Sequence, residues 1–216
     1  MMADAQTDRP VIKVLAIEYP PFTSSKMIQN GVAFMLLRQY AKKHFIADIQ
    51  PLIVPPARVQ ILLELKSWCL SFYPPLHLKS SGSSIQLSKT KIKIGMFRKR
   101  QNSVFRWDNL KEYSGASIAL LRSNNSSRFY QLYTEAGLFP VFVDSIEQGI
   151  KLLLRGRVDY AFADNVSIDL MDISPQQKES LQFSKTIFLE TPVQVYFNPK
   201  CTKRLYANTG NLDADS

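Results

Sequence analysis

Residues 145–164 read SIEQGIKLLLRGRVDYAFAD and contain a helix followed directly by a strand. Ser145 and Gln148 match a capping box, in which two side chains satisfy the free N–H groups at a helix start. The apolar run at 158–164 is typical of a short buried strand, and a further strand is predicted at 140–144. The segment therefore predicts a strand–helix–strand unit.

The same alternation continues in both directions from this unit. The patterns predict strands at 11–17, 49–54, 69–73, 91–97, 116–121 and 191–198, and helices at 32–45, 57–66 and 128–136, the last ended by Gly137. Pro51 indicates that the strand at 49–54 lies at a sheet edge. Within 32–45, one helical stripe carries Ala33, Leu36, Leu37, Tyr40, Ala41 and His44.

This order predicts an α/β protein of two βαβαβ units joined by two long strands. The chain has 216 residues, of which 45% are hydrophobic, enough for one domain or two small ones. In such folds small ligands lie outside the carboxyl ends of parallel strands. We therefore look for functional residues just after each strand.

The net charge of +9 is unevenly distributed. The segment from Lys79 to Lys111 contains nine basic residues and one acidic residue, Asp108. Such a region is compatible with nucleic acid, anionic lipid or an acidic partner protein. However, KTKIKIGMF at 89–97 alternates charged and apolar residues, which favours a solvated strand face, and no nucleic-acid motif accompanies it. Nucleic acid is therefore not an expected partner.

The two cysteines, Cys69 and Cys201, leave two alternatives open. They are either buried thiols or one disulfide that joins distant parts of the chain, which would fit an oxidising compartment. A zinc site is disfavoured because His44 and His77 lie near no cysteine motif. No run is long and apolar enough to span a bilayer, and no secretory leader is recognisable. The polar start MMADAQTDRP is compatible with a mature N-terminus after leader removal or with a cytosolic protein.

Motifs of common enzymes are missing from the sequence. We find no nucleophile elbow, no glycine-rich phosphate loop and no zinc motif. Asp164 is the one plausible acid or base at a strand end. The sequence therefore favours a protein that is not an enzyme, with a small cleft enzyme such as a dehydratase as a remote alternative.

Four segments taken together resemble a known family. They are YPPFTS at 19–24, PPARVQILLELK at 55–66, SIALLRSNNSS at 117–127 and the segment at 145–164. Their order and spacing over residues 11–201 resemble the bacterial extracellular solute-binding proteins of family 3, the periplasmic components of polar amino acid ABC transporters. The resemblance implies a two-lobed periplasmic-binding-protein fold of type II. Lobe 1 would comprise 11–93 and 194–205 and lobe 2 would comprise 94–193, with two crossing hinge strands, an N-terminal tail at 1–10 and a disordered tail at 206–216.

The resemblance also implies a function. The protein would be periplasmic and monomeric, would use no cofactor or metal, and would capture a small polar solute, by default an amino acid or a related compound, for the permease of an ABC transporter. The alternative is a ligand-sensing domain that signals to a membrane partner without transport. Both use the same closure of two lobes.

The resemblance implies roles for residues at strand ends. Tyr19 and Phe22 would present rings to the ligand from a turn stiffened by Pro20 and Pro21, unless they only fill the core. Asp164 would receive an ammonium group, unless it caps the following helix. Lobe 1 would be lined by Ser71 and Tyr73, and an anionic group would be held by Ser123, Asn124, Asn125, Ser126 and Ser127, which are also suited to ordinary helix capping.

Two features depart from the family pattern. Members carry an arginine after the third strand as a carboxylate clamp, whereas HLKSSGSSIQLS at 77–88 has none, with Lys79 the nearest cation. Arg58 could substitute, although its position suits a helix start. Members also close lobe 1 with a long final helix, and the polar segment after Cys201 does not predict one. In this arrangement Cys201 would lie close to the third strand, where a bridge to Cys69 is conceivable.

Overall fold

The structure is a computed structural model that describes residues 9–65, 68–75, 84–122 and 128–206. Nine strands occur there: β1 (Val11–Ala16), β2 (Asp48–Ile53), β3 (Leu70–Ser71), β4 (Ser84–Lys99), β5 (Ser117–Leu121), β6 (Phe139–Val143), β7 (Tyr160–Asp164), β8 (Leu181–Phe183) and β9 (Leu189–Phe197). The α-helices of this part are α1 (Val32–His44), α2 (Pro56–Glu64), α3 (Arg128–Glu135), α4 (Ile146–Leu154), α5 (Pro175–Glu179) and α6 (Thr202–Leu205). None of the helices in these ranges has the length and apolar character needed to cross a bilayer.

The strands form one mixed sheet in the order β2-β1-β3-β9-β4-β7-β5-β6, with β8 paired to β4. Two groups of three parallel strands lie at its ends, β2-β1-β3 and β6-β5-β7. The long strands β4 and β9 run antiparallel to each other and join the groups. We call β1–β3 with α1 and α2 the first half, and β5–β7 with α3 and α4 the second half. This is the predicted pair of parallel units linked by two long strands.

Several element boundaries differ from those predicted. β2 lies at one end of the sheet, as Pro51 indicated. The strand predicted at 69–73 pairs only at Leu70 and Ser71, because the chain turns directly afterwards. By contrast β4 extends well beyond the predicted 91–97, since one part of it pairs with β9 and the other with β7 of the second half. A short helix was also predicted after the strand at 158–164, where α5 follows β7, whereas the short strand β8 was not predicted.

One residue of α1, His44, does not lie where the sequence pattern predicted it. Ala33, Phe34, Leu37 and Ala41 are its buried residues, whereas His44 is exposed and its ring lies 4.3 Å from the Tyr40 ring. His44 therefore does not belong to the apolar stripe on which it was predicted, because the helix ends there and turns its last residues to solvent.

The predicted capping box of α4 is only half formed. The Ser145 hydroxyl accepts a bond from the Gln148 N–H at 3.2 Å, as a helix cap does. The Gln148 side chain, however, accepts from the N–H of Asp144 at 3.0 Å and not from that of Ser145. The Gln148 side chain therefore satisfies the N–H group one residue before the one that the motif specifies.

Both faces of each parallel group are covered by helices. In the first half, Val14 and Ala16 face α1 while Leu15 and Ile17 face α2, because successive side chains of a strand point to opposite faces. In the second half α4 and α3 cover opposite faces in the same way. Along β4 the lysines 89, 91 and 93 are exposed, as the predicted solvated face requires.

Candidate functional site

The turn after β1 is held closed by its own backbone. The Tyr19 N–H donates to the Thr23 carbonyl at 2.7 Å, and the Thr23 N–H donates back to the Tyr19 carbonyl at 3.0 Å. The buried Thr23 hydroxyl donates to the Ile17 carbonyl at 2.7 Å. These bonds fix the positions of the two aromatic residues independently of any ligand.

The same turn is fastened to the start of α1. The Val32 N–H donates to the Pro21 carbonyl and the Ala33 N–H to the Phe22 carbonyl, both at 2.9 Å. Two free N–H groups of the helix start are thus satisfied by the turn. The approach is close at Gly31, which has φ +94°, because a Cβ there would lie 2.6 Å from the Phe22 oxygen. Only glycine fits this junction.

The Tyr19 ring lies between the two halves of the molecule. It packs against the α2-side core of the first half and against the α4-side core of the second half, and Leu121 at the end of β5 does the same. Burial, followed by the neighbouring negative charge of Asp164, raises the pKa of Tyr19. Phe22 is half-buried with its ring 6.1 Å from that of Tyr19. The two rings therefore lie together, and Tyr19 is the one that reaches Asp164.

Asp164 is completely buried at the carboxyl end of β7. Its Oδ1 accepts from the N–H groups of Val166 at 2.9 Å and Ser167 at 2.8 Å, and its Oδ2 accepts from the Ser167 hydroxyl at 2.5 Å. No lysine or arginine nitrogen of the described residues forms an ion pair with it. The capping role that the sequence left open is therefore present, and the carboxylate charge is compensated by hydrogen bonds.

Asn165, which the sequence reasoning missed, fastens this strand end to β4. Its side-chain oxygen accepts from the Lys93 N–H at 2.7 Å, and its own N–H donates to the Lys93 carbonyl at 3.0 Å. An asparagine directly after a strand is a common turn residue, so its position alone carried no signal for this pairing.

Ser71 and Tyr73 are engaged within the first half. The buried Ser71 hydroxyl donates to the Tyr73 carbonyl at 2.8 Å and accepts from the Tyr73 N–H at 3.0 Å. The Tyr73 hydroxyl accepts from the Gln60 amide of α2 at 3.2 Å, and burial raises the pKa of Tyr73. Gln60 was not predicted, because a buried glutamine inside an apolar helix pattern looks like a surface residue.

The serine- and asparagine-rich stretch, Ser123, Asn124, Asn125, Ser126 and Ser127, lies outside the described residues. Before it, Arg122 donates its N–H to the Val143 carbonyl at 2.9 Å, and its side chain pairs with Asp144 at 3.1 Å. The anion-binding role of the stretch stays a prediction.

Cys69 and Cys201 are joined by a disulfide, with their Cα atoms 5.4 Å apart. Of the two alternatives that the sequence left, the bridge is the one present. Near it, a cavity of about 290 Å³ runs along β1 from Val11 to Leu15 and is also lined by Trp68, Cys69 and Arg204. Neither Tyr19 nor Asp164 lines this cavity. Within the described ranges, no group of three or more histidine, cysteine, aspartate or glutamate side chains is arranged to hold a metal ion.

The chain matches known proteins by structure and not by sequence. No protein-family model matches the chain, and no curated protein matches it by sequence. Solved structures do match. A mutant of the Thermotoga maritima arginine-binding protein ArgBP superposes with a TM-score of 0.64 at 15% identity, over 91% of this chain and 85% of that chain.

Two further matches come from other bacteria. The GluR0 ligand-binding core of Nostoc punctiforme, in complex with L-glutamate, has a TM-score of 0.61 at 14% identity and covers 89% of this chain and 87% of that chain. The VFT2 domain of Bordetella pertussis BvgS has a TM-score of 0.57 at 14% identity, covering 88% and 80%. At such identities the likeness concerns the fold. The chain therefore has the two-lobed α/β fold of type II periplasmic binding proteins.

Proposed function

We propose that the protein captures a small polar solute, by default an amino acid or a related compound, in the cleft between its two halves and delivers it to the permease of an ABC transporter. It would belong to the family 3 solute-binding proteins and act in the periplasm as a monomer without catalysis. The disulfide supports this location, because such bridges persist in oxidising compartments. The lobes would be 11–93 with 194–205, and 94–193.

One observation carries the proposal. A tyrosine from the turn after β1 meets a fully buried carboxylate at the end of β7, so that the carboxyl ends of two parallel strand groups face each other. This is the location at which open α/β folds bind ligands. The structural likeness to ArgBP and to the glutamate-bound GluR0 core supports an amino acid or a similar compound.

The site residues would act in three groups. Tyr19 and Phe22 would contact the apolar part of the solute, since their turn is rigid before the solute arrives. Ser71 and Tyr73 would line the first half, and Ser123, Asn124, Ser126 and Ser127 would hold an anionic group. Asp164 would accept a cationic group. Because its oxygens already accept three bonds besides the contact with Tyr19, a bound cation would have to replace the tyrosine hydroxyl.

The first test is thermal unfolding against amino acids, short peptides, amines and organic acids. A solute present at 100 times its Kd stabilises the folded state by about 2.7 kcal/mol, which raises the Tm of a chain of this length by several degrees. We expect one class of solute to give this shift. Its absence with every compound would contradict solute capture.

Tyr19→Phe locates the site once a solute is known. It removes the hydroxyl that faces Asp164 and retains the ring, so we expect a changed affinity for a cationic solute. Tyr113→Phe is the matched control, because its hydroxyl bonds to the Arg106 carbonyl within the second half. An equal response of both variants would argue against the site between the halves.

Ligand sensing is the second candidate, favoured by the likeness to the BvgS domain. Closure on a solute is common to both candidates. Reconstitution with a permease and ATPase distinguishes them, because solute-dependent ATP hydrolysis is expected of a transport component and not of a sensor.

A further inference from the structure

The outward side of α1 and the turn before it form a continuous exposed surface, which we call the α1 face. It comprises Met27, Ile28, Val32, Met35, Gln39, Lys42 and Lys43. The helical members recur at intervals of three or four residues, so they lie in one stripe opposite the buried stripe of the helix.

The amino-terminal part of this face is apolar. Ile28 is 89% exposed, and Met27, Val32 and Met35 are each about 40% exposed. Exposed apolar residues that occur singly are normal, but Val32 and Met35 are neighbours on the helix surface and Met27 and Ile28 precede them in the turn, and such a group marks an interaction surface.

The turn that presents Ile28 is rigid. Arg38, two helical turns into α1, donates to the Gln29 carbonyl at 2.5 Å and to the Asn30 side-chain oxygen at 3.0 Å. Gln29 and Asn30 both have positive φ, at 53° and 63°. Such backbone strain persists only where the surroundings enforce it. The apolar tip is thus held in place at an energetic cost, although its leading side chain contacts solvent.

The charge on this part of the chain has one sign. Between residues 19 and 47 the sequence has no acidic residue and four lysines or arginines: Lys26, Arg38, Lys42 and Lys43. Glu18, directly before this segment, accepts from the N–H and hydroxyl of Ser25 and also attracts Lys26, whereas Lys42 and Lys43 form no ion pair within the described residues. The α1 face therefore combines an apolar tip with an uncompensated positive charge.

We propose that the α1 face docks the protein on an anionic lipid bilayer. The apolar tip enters the boundary between headgroups and acyl chains, and the lysines at the far end of the helix lie against lipid phosphates. Exposed apolar side chains enter the membrane interface in proportion to the apolar area they bury, and each cation near an anionic surface adds to the attraction. An acidic partner protein fits the lysines equally well, but its acidic surface alone would not accommodate the rigid, protruding apolar tip.

Cosedimentation of the purified protein with phosphatidylcholine vesicles, with and without phosphatidylglycerol, tests this proposal. We expect binding to the anionic vesicles alone, weakened at high salt because ions screen the attraction. The variants K42E/K43E and I28S should each bind at least roughly tenfold more weakly.

The controls are K89E/K91E, which makes the same charge change on the exposed face of β4, and V104S, which removes another exposed aliphatic side chain. Both should stay within about twofold of the unchanged protein. The proposal is overturned if the unchanged protein ignores anionic vesicles, as an acidic protein partner would predict. It is also overturned if K89E/K91E weakens binding as much as K42E/K43E, because net charge would then explain the effect.

Discussion

The carboxyl ends of β1 and β7 face each other, and they are built in different ways. After β1, backbone bonds and the junction with α1 hold two aromatic rings in a closed turn. After β7, the buried Asp164 carboxylate organises the chain by accepting three hydrogen bonds from Val166 and Ser167. The first end depends on backbone shape and the second on one charge. Each end is ordered mainly by contacts of its own strand and the residues that follow it.

The largest expected effect tests the dependence of the second end on its charge. Asp164→Ala leaves three donors without their acceptor inside the protein, which should lower the free energy of unfolding by about 3 kcal/mol. Chemical denaturation measures this loss. The control, Asp172→Ala, removes an exposed carboxylate from the segment that follows β7 and should change stability by no more than about 0.5 kcal/mol. Equal effects would show that Asp164 does not organise this strand end.

A smaller effect is expected at the first end, where shape decides. Gly31→Ala places a methyl group 2.6 Å from the Phe22 oxygen at a positive φ, and should cost about 2 kcal/mol. Gly115→Ala is a matched control, because its φ is also positive but nothing lies within 4 Å of the added methyl group. Its cost should be about 1 kcal/mol, from backbone strain alone. If the two variants are equally destabilised, the close approach of the turn to α1 is not a constraint.

The smallest effect concerns the other end of β7. Asp159, in contrast to Asp164, is exposed, and the N–H and then the hydroxyl of Ser117 lower its pKa. The folded state therefore binds this proton less readily than the unfolded state. The stabilisation is present above the unfolded pKa of about 3.9 and is lost as the pH falls through the folded pKa.

NMR titration of the Asp159 carboxyl carbon measures this directly. Ser117→Ala removes one of the two donors, so the midpoint should rise part of the way towards the ordinary value. An unchanged midpoint would show that the backbone N–H accounts for the whole shift.

The order of the strands and helices could be predicted from the sequence because each parallel unit is determined by patterns of neighbouring residues. Apolar runs, the capping residue Ser145 and the helix-ending Gly137 all act within a few residues. It was insufficient where partners are distant along the chain. The extension of β4 depends on β9, some hundred residues later, and the meeting of Tyr19 with Asp164 depends on how two separately ordered halves are joined. The bridge between Cys69 and Cys201 was left undecided for the same reason.

That bridge has a consequence for the order in which the chain can mature. The second half is built from one continuous stretch between β4 and β9, whereas the first half also needs β9 beside β3 and Leu205 of α6 in its core, and both follow the second half in the sequence. Cys201 follows Cys69 by 132 residues, so the pair cannot meet during most of synthesis. In a chain that emerges from its amino terminus, the half that begins first is thus completed last. Until then the edge of β3 that pairs with β9 is open, and an open strand edge exposes the nascent chain to aggregation.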